Sequence, residues 1–251
     1  MGLAIDVLRE DEVVERILHA ASTGIGGSVV TPNLDQLRRF VTEPELRALF
    51  QQASLVLVDG TTLVWASRLQ GTPLPERIPG SKLIFSLSAA AAEAGVPVFL
   101  LGGNPGTAAR AAVRLQERFP ALRVVGTLCP PFGFESVPEQ IRSIEAALRS
   151  AQPQLVYVCL GFPKQEYLIR QLRSSLPDLW FLGLGVSLSF AAGELVRAPQ
   201  WVQRIGAEWL HRLIQEPRLF NRFVVKGLPF AVRLFGHAAR VRVHRHFEAV
   251  S

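Results

Sequence analysis

The chain has 251 residues, 49% of them hydrophobic and 19% charged, a composition typical of a globular protein large enough to bury a core. Its two cysteines, Cys129 and Cys159, provide neither a disulfide framework nor a pair of metal ligands, and they fit a reducing compartment. We expect no signal peptide, because the N-terminus has no charged region followed by a long apolar run. We also expect no membrane-spanning helix, because the uncharged apolar stretches are shorter than the roughly 20 residues that a crossing needs.

The net charge of +6 is concentrated at the C-terminal end. Residues 197–251 hold ten Lys and Arg against three acids, whereas residues 1–196 are close to neutral. Such asymmetry indicates an anionic partner for this segment: nucleic acid, a lipid surface or phosphates. We therefore divide the chain into a first domain, 1–196, and a basic appendage, 197–251.

The first elements are predicted as a helix over 11–21 and a short strand over 28–30. The strand leads to Thr31, Pro32 and Asn33, and a helical pattern then runs over 34–50. Thr31 and Asn33 could bind the hydroxyl groups or the carbonyl of a ligand. They could equally cap the following helix, and the local sequence favours capping.

Residues 55–58 are predicted as a buried strand, which Asp59 and Gly60 follow directly. Ligands of open α/β sheets bind at the carboxyl ends of the strands, where a carboxylate can take a proton from a substrate. Aspartate is also a favoured N-cap, and a helix is predicted to begin at Thr61. The local sequence by itself favours the N-cap interpretation of Asp59.

Strands and helices continue to alternate along the rest of the first domain. Further strands are predicted over 96–101, 122–127, 155–160 and 179–184, and helices over 61–70, 81–94 with Ser81 as its cap, 107–119 and 137–150. This alternation predicts an α/β fold: a mostly parallel, Rossmann-like sheet covered by helices on both faces.

Gly102 and Gly103 connect one of these strands to a helix. This arrangement can point backbone N–H groups at a phosphate, but the spacing matches neither the dinucleotide nor the P-loop motif. The sequence is therefore compatible both with a phosphate contact at these glycines and with a plain tight turn.

The appendage is predicted to be helical, with one helix over 201–214 and a break at 227–229. Arg218, Arg222 and Lys226 lie four residues apart beside a broad apolar face. A helix lying on an anionic membrane has this pattern. So does a helix packed on its own domain with its basic side chains in water, and both remain open.

The sequence lacks the motifs of several common classes of catalytic and metal site. The sequence has no His-Glu-x-x-His, no Asp-x-Asp and no Gly-x-Ser-x-Gly, so we expect no metal, no other cofactor and no serine nucleophile. Without an aromatic stacking array we also expect no nucleic acid partner. A transferase of phosphate-activated substrates would have to hold the leaving phosphates with backbone dipoles and cationic side chains.

Motifs in a fixed order nevertheless resemble the WecG/TagA/CpsF glycosyltransferase family. They are Thr31-Pro32-Asn33, Val58-Asp59-Gly60, Arg77-x-x-Gly80-Ser81, Leu100-Leu101-Gly102-Gly103, Gly161-x-Pro163-Lys164-Gln165-Glu166, Gly183-x-Gly185, Arg197-Ala198-Pro199-x-Trp201 and Glu208-Trp209-x-x-Arg212-Leu213. Each motif is weak alone, but their order is specific.

The resemblance implies an inverting, metal-independent enzyme of cell-surface polysaccharide or teichoic acid synthesis. It would move a sugar, N-acetylmannosamine or its uronic acid, from a UDP-sugar to a polyprenyl-diphosphate-linked sugar. The enzyme would be cytoplasmic and peripheral on the inner face of the membrane, with residues 197–251 on the anionic surface. The resemblance leaves open whether the chain forms a homo-oligomer. A catalytically inactive sugar-nucleotide-binding protein of the same fold is the alternative.

The resemblance implies that Asp59 is the general base, because it stands at the position of the family's catalytic acid. The expected substrate-binding residues are Thr31, Asn33, Arg77, Lys82, Gly102, Gly103, Gln165, Arg212 and Arg222. Of these, Gly102 and Gly103 would lie near the nucleotide, and the last two arginines would close over the diphosphate.

Three positions depart from the family's pattern. Lys82 and Ser189 stand where the family usually has Asp, and Leu219 stands where a basic residue is common. These changes of charge point to a donor or acceptor that differs from N-acetylmannosamine, such as one with a carboxylate for Lys82 to pair with. They also leave Asp59 as the acid on which catalysis should depend.

Overall fold

The computed structural model describes residues 1–204 and 206–248, and its strands form one parallel sheet. The strands are β1 (Gly27–Val30), β2 (Leu55–Val56), β3 (Val98–Gly102), β4 (Val124–Leu128), β5 (Leu155–Cys159) and β6 (Trp180–Gly183). Ile205 and residues 249–251 of the predicted appendage lie outside the described residues.

The α-helices are numbered in chain order in the same way. They are α1 (Glu10–Ser22), α2 (Leu34–Thr42), α3 (Arg47–Gln51), α4 (Thr61–Gln70), α5 (Gly80–Ala94), α6 (Thr107–Arg118), α7 (Pro138–Ala151), α8 (Lys164–Ser175), α9 (Ser187–Ala191), α10 (Gln200–Arg204), α11 (Glu208–Gln215) and α12 (Leu228–Glu248). Short 3₁₀ turns lie at Pro44–Leu46, Phe134–Ser136 and Pro217–Leu219, and a π-helical turn at Asn221–Gly227.

The strand order is β2-β1-β6-β5-β3-β4, and every described pair is parallel. Helices cover both faces, as β5 shows. Its residues Leu155, Tyr157 and Cys159 join a core with α1, α5 and α6, whereas Val156 and Val158 join a second core with α7 and α8. A strand buried on both faces needs apolar side chains at every position, which explains the uninterrupted apolar runs in the sequence. The predicted α/β fold is confirmed.

Two helical predictions are wrong because prolines and glycines interrupt the pattern. The segment 34–50 divides at Pro44, which cannot donate a helical hydrogen bond, so α2 ends at Thr42 and α3 begins at Arg47. The segment 201–214 divides into α10 and α11, with Gly206 between them at a φ of 71°.

Two predicted boundaries are also wrong. No break occurs at 227–229 in the described residues, because the π-helical turn continues directly into α12. Pro229 is the second residue of α12, directly after this turn. At the start of α5 the N-cap is Pro79, so Ser81 is not a cap.

Helix α12 packs on the first domain through part of its apolar face. Phe230, Leu234 and Ala238 are buried in a third core together with Val58 and Leu63. This packing is one of the two alternatives that the sequence left open for the C-terminal segment. The division at residue 197 stays a prediction. In the part of the chain that the structure describes, no helix is long and apolar enough to cross a membrane.

Candidate active site

A cavity of about 300 Å³ opens at the carboxyl ends of neighbouring strands. Because β2, β1, β6 and β5 are adjacent in the sheet, the loops that follow them meet at one edge. Further parts of the lining come from the loop before α5, the segment 195–198, α11, the π-helical turn and the start of α12. Seven of the residues predicted from the sequence line the cavity: Thr31, Asn33, Asp59, Arg77, Gln165, Arg212 and Arg222.

Asp59 is held in the cavity by the continuation of β2. Beyond Val56 the chain runs on beside β1, since Leu57 N–H donates to Val30 O at 2.9 Å and Asp59 N–H donates to Pro32 O at 3.1 Å. Gly60 is the N-cap of α4, and no side chain caps this helix. The N-cap interpretation of Asp59 is therefore wrong, and its carboxylate is left to face the cavity.

The electrostatic environment makes Asp59 a stronger base than an ordinary aspartate. Burial raises the pKa of its carboxyl to about 6, while Arg77, Arg212 and Arg197 act to lower it and Glu208 to raise it. Among the described residues, the Asp59 carboxylate has no hydrogen bond and no ion pair. It can thus accept a proton from a ligand near neutral pH.

Arg77 and Arg197 reach the cavity from different parts of the chain and share one acid. Arg77 Nη1 lies 2.6 Å from Glu208 Oε2, and Arg197 Nη2 lies 3.7 Å from Glu208 Oε1. Glu208 opens α11, so this carboxylate connects the loop before α5 to the C-terminal segment. Two guanidinium groups therefore stand at the cavity with a single carboxylate between them.

Arg212 and Arg222 contribute positive charge from the C-terminal segment. Arg212 Nε lies 3.1 Å from Glu216 Oε2, and Arg222 Nε lies 3.0 Å from Asp35 Oδ2. Burial lowers the pKa of Arg222, and nearby arginines lower it further, while Asp35 and Asp59 act to raise it. A bound anion would relieve this repulsion, because it would supply the missing negative charge.

Thr31 and Gln165 are buried and both attach to the end of β6. Thr31 Oγ1 donates to Gly183 O at 3.3 Å, and Gly185 N–H donates to Gln165 Oε1 at 3.1 Å. Asn33 is the N-cap of α2, where its side chain accepts from two backbone N–H groups. The capping interpretation of Asn33 is confirmed, although the residue also lines the cavity.

Lys82 does not line this cavity. Its ammonium lies 2.6 Å from Glu10 Oε2 on α1, and its side chain is 53% exposed. A role of Lys82 in substrate binding stays a prediction.

Gly102 and Gly103 also lie outside the cavity lining. Gly102 has a φ of 111° and lies so close to the Cys159 carbonyl that a side chain would not fit. At the start of α6, Thr107 Oγ1 donates to Glu194 Oε1 at 2.6 Å, and Arg110 pairs with the same carboxylate. Negative charge is favourable at a helix N-terminus, and here Glu194 supplies it. Nucleotide contact at the two glycines stays a prediction.

The cavity is also lined by Asp35, Arg197 and Glu208, which were not among the site residues expected from the sequence. Arg197 and Glu208 lie inside motifs of the family resemblance, which was an available signal. No sequence motif indicated Asp35, because its partner Arg222 is remote in sequence. Within the described ranges, no group of three or more His, Cys, Asp or Glu residues could hold a metal ion.

A comparison with protein families agrees with the family resemblance of the sequence. The family model described as "Glycosyl transferase WecG/TagA/CpsF family" matches residues 1–244. The match includes every residue that lines the cavity.

Proposed function

The chain belongs to the WecG/TagA/CpsF family of glycosyltransferases, and we propose that it transfers a sugar from a UDP-sugar to a polyprenyl-diphosphate-linked sugar. The product would serve the synthesis of a cell-surface polysaccharide or teichoic acid. The observation that carries this proposal is the Asp59 carboxylate, which has no hydrogen bond or ion pair within residues 1–204 and 206–248, in a cavity lined by Arg77, Arg197, Arg212 and Arg222. The carboxylate supplies a base, and the arginines suit a diphosphate.

In the proposed reaction Asp59 removes the proton from the acceptor hydroxyl. The oxygen attacks the anomeric carbon, the new glycosidic bond forms, and the bond to UDP breaks with its electron pair on the phosphate oxygen. A single displacement from the opposite face inverts the configuration. With a pKa of about 6, Asp59 is largely deprotonated at neutral pH yet more basic than an exposed aspartate.

The departing diphosphate would be stabilised by arginine side chains instead of a metal ion. Arg77, Arg197, Arg212 and Arg222 all line the cavity. Guanidinium groups bind phosphate oxygens with two hydrogen bonds at once, and they stabilise the charge that develops as UDP leaves. Glu208 holds two of these arginines in place before the diphosphate arrives.

The lipid-linked acceptor would reach this cavity from a membrane surface. Near the cavity, large apolar side chains are exposed: Val196 is 71%, Trp201 66% and Ile214 75% exposed. No residue of α11 is buried, whereas α12 uses Phe230 and Leu234 to pack on the first domain. We therefore propose that Val196, Trp201 and Ile214 insert into the surface while arginines attract the anionic lipid.

The identity of the sugar depends partly on Lys82. A carboxylate on the donor could pair with this ammonium beside Glu10, its present partner, because an ammonium has three N–H donors and this side chain is 53% exposed. The proposal of an acidic sugar is tested by Lys82→Asp, which should change the donor preference. An unchanged preference would remove Lys82 from the choice of donor.

UDP release measured across a panel of UDP-sugars, with a lipid-diphosphate-linked sugar acceptor, tests the proposed function directly. We expect release that depends on the acceptor, persists in EDTA and yields a product of inverted anomeric configuration by NMR. UDP binding without release from any donor would instead support the inactive binding protein. Release that EDTA abolishes would overturn the metal-independent mechanism.

A further inference from the structure

Glu166 lies beside the active-site cavity but has no role in the reaction described above. It occupies the first turn of α8, directly after Gln165, and only 5% of it is exposed. Gln165 lines the active-site cavity, whereas Glu166 lines a second cavity whose walls include the apolar Val30 and Ile169 and the basic Arg173. The two adjacent side chains thus face two different cavities.

Two hydrogen bonds determine the orientation of the Gln165 amide. Gln165 Nε2 donates to Glu166 Oε1 at 2.8 Å, and Gln165 Oε1 accepts from Gly185 N–H at 3.1 Å. If the amide were flipped, its NH₂ group would face the N–H of Gly185 and its oxygen would face the carboxyl of Glu166. The contact with Gly185 would be repulsive in every protonation state, and the contact with Glu166 would be repulsive when its carboxyl is ionised. The neighbours therefore favour the observed orientation.

The buried carboxyl of Glu166 is unfavourable for the stability of the fold. Its Oε2 is buried without a hydrogen-bond partner among the described residues. Burial raises its pKa to about 7, although Gln165, a backbone N–H and Arg39 act to lower it. A buried polar atom without a partner destabilises a fold, and an apolar side chain of similar size would remove that penalty. Stability therefore does not explain this residue.

We propose that Glu166 is a positioning residue that fixes the Gln165 amide for sugar transfer. With one N–H bound to Glu166 and one lone pair bound to Gly185, Gln165 retains one N–H and one lone pair for the cavity. A hydroxyl group of the sugar donates and accepts hydrogen bonds, so it matches this remaining pair. This inference rests on the proposed function, because the substrate that Gln165 would orient is the sugar.

Two substitutions of Glu166 separate positioning from a structural role. Glu166→Leu removes the acceptor but fits the apolar neighbours, so we expect an unchanged or higher melting temperature. Its kcat should fall about tenfold, with KM for the sugar nucleotide changed much less, since the loss falls on transition-state orientation. Glu166→Gln retains an acceptor oxygen for Gln165 and should restore kcat to within about threefold of the original enzyme.

A double-mutant cycle tests whether Glu166 acts through Gln165. Gln165→Leu should lower kcat, and adding Glu166→Leu to that variant should cause no further loss. Equal losses from Glu166→Leu in both backgrounds would overturn the proposal, as would a fall in kcat that is matched by a fall in melting temperature.

NMR of the Gln165 side-chain amide gives a readout that does not require turnover. The resonance is assigned by its absence in Gln165→Leu. We expect slow exchange with water in the original enzyme and in Glu166→Gln, and faster exchange in Glu166→Leu. Unchanged exchange in Glu166→Leu would overturn the positioning role, whether or not a donor is turned over. A lack of turnover with every donor would instead overturn the proposed function, so the two failures are distinguishable.

Discussion

At the scale of single residues, the position of Asp59 decides its chemistry. Gly60 takes the N-cap position of α4, so the Asp59 carboxylate is not consumed by the helix. Asp35 and Glu208 also line the cavity, but each is paired with arginine. Asp59 is therefore the cavity acid best suited to accept a proton.

Asp59→Asn should abolish transfer while leaving the fold intact. We expect kcat to fall by roughly 10² to 10⁴, the usual contribution of a general base, while UDP binding is retained. Kinetics of UDP release and calorimetric titration with UDP measure the two effects. Normal turnover by this variant would remove Asp59 from the mechanism, and Asp35→Asn is a control that tests a paired acid of the same cavity.

The activity should depend on pH through Asp59. Because the base must be deprotonated and its pKa is about 6, kcat/KM should rise with pH up to about 6 and then level off. Glu166 has a raised pKa in a similar range, so the same profile should be measured in Glu166→Gln. If the increase of kcat/KM with pH disappears in Glu166→Gln, the group that titrates is Glu166 and not Asp59.

The Asp59 carboxyl should also make the stability of the protein depend on pH. A rise in pH that increases the activity should lower the stability of the folded state. The folded carboxyl of Asp59 binds its proton more tightly than an unfolded aspartate, with a pKa of about 6 against 3.8. The folded state is thus penalised as pH rises through this window. The melting temperature of Asp59→Asn, relative to the original protein, should increase between about pH 4 and 6, and a constant difference would contradict the raised pKa.

At the scale of elements, α11 and α12 use their apolar residues differently. Helix α12 buries Leu234 in a core shared with α4, while neighbouring Val232 is 74% exposed. Helix α11 buries no residue and lines the cavity with Arg212. The C-terminal segment thus combines a packed helix with an exposed one.

Leu234→Ala should destabilise the protein because it removes a buried side chain from that shared core. We expect a loss of about 2–5 kcal/mol in the free energy of unfolding, measured by urea denaturation. Val232→Ala on the same helix is the matched control and should change the value by less than about 0.5 kcal/mol. Equal small effects would show that α12 contributes little to the core.

The exposed apolar side chains near the cavity should determine membrane binding. Trp201→Ser combined with Ile214→Ser should weaken binding to anionic vesicles about tenfold or more, because two large side chains no longer leave water. Vesicle sedimentation at two salt concentrations measures this, and Val113→Ser, which alters a 56% exposed valine on α6, is the control. Undiminished binding of the double variant would place the contact elsewhere.

At the scale of the whole molecule, the cavity is made by both parts of the chain. The strand ends contribute Asp59 and Gln165, and the C-terminal segment contributes Arg197, Arg212 and Arg222. The base and the cations that would hold the diphosphate therefore come together only in the folded chain.

The parallel α/β fold could be predicted from the sequence alone, and so could the placement of Thr31, Asp59 and Gln165 at strand ends. Strand and helix patterns depend on the periodic burial of nearby side chains, and parallel strands place their carboxyl ends at one edge. The sequence also located the basic excess in 197–251.

The pairing of charged side chains could not be predicted without the folded structure. Arg77 pairs with Glu208, a residue 131 positions away, Arg222 pairs with Asp35, and Lys82 turns to Glu10 instead of the cavity. The pKa of Asp59 is likewise a consequence of burial by distant elements. Such ion pairs depend on packing between elements remote in sequence, and no local periodicity encodes that packing.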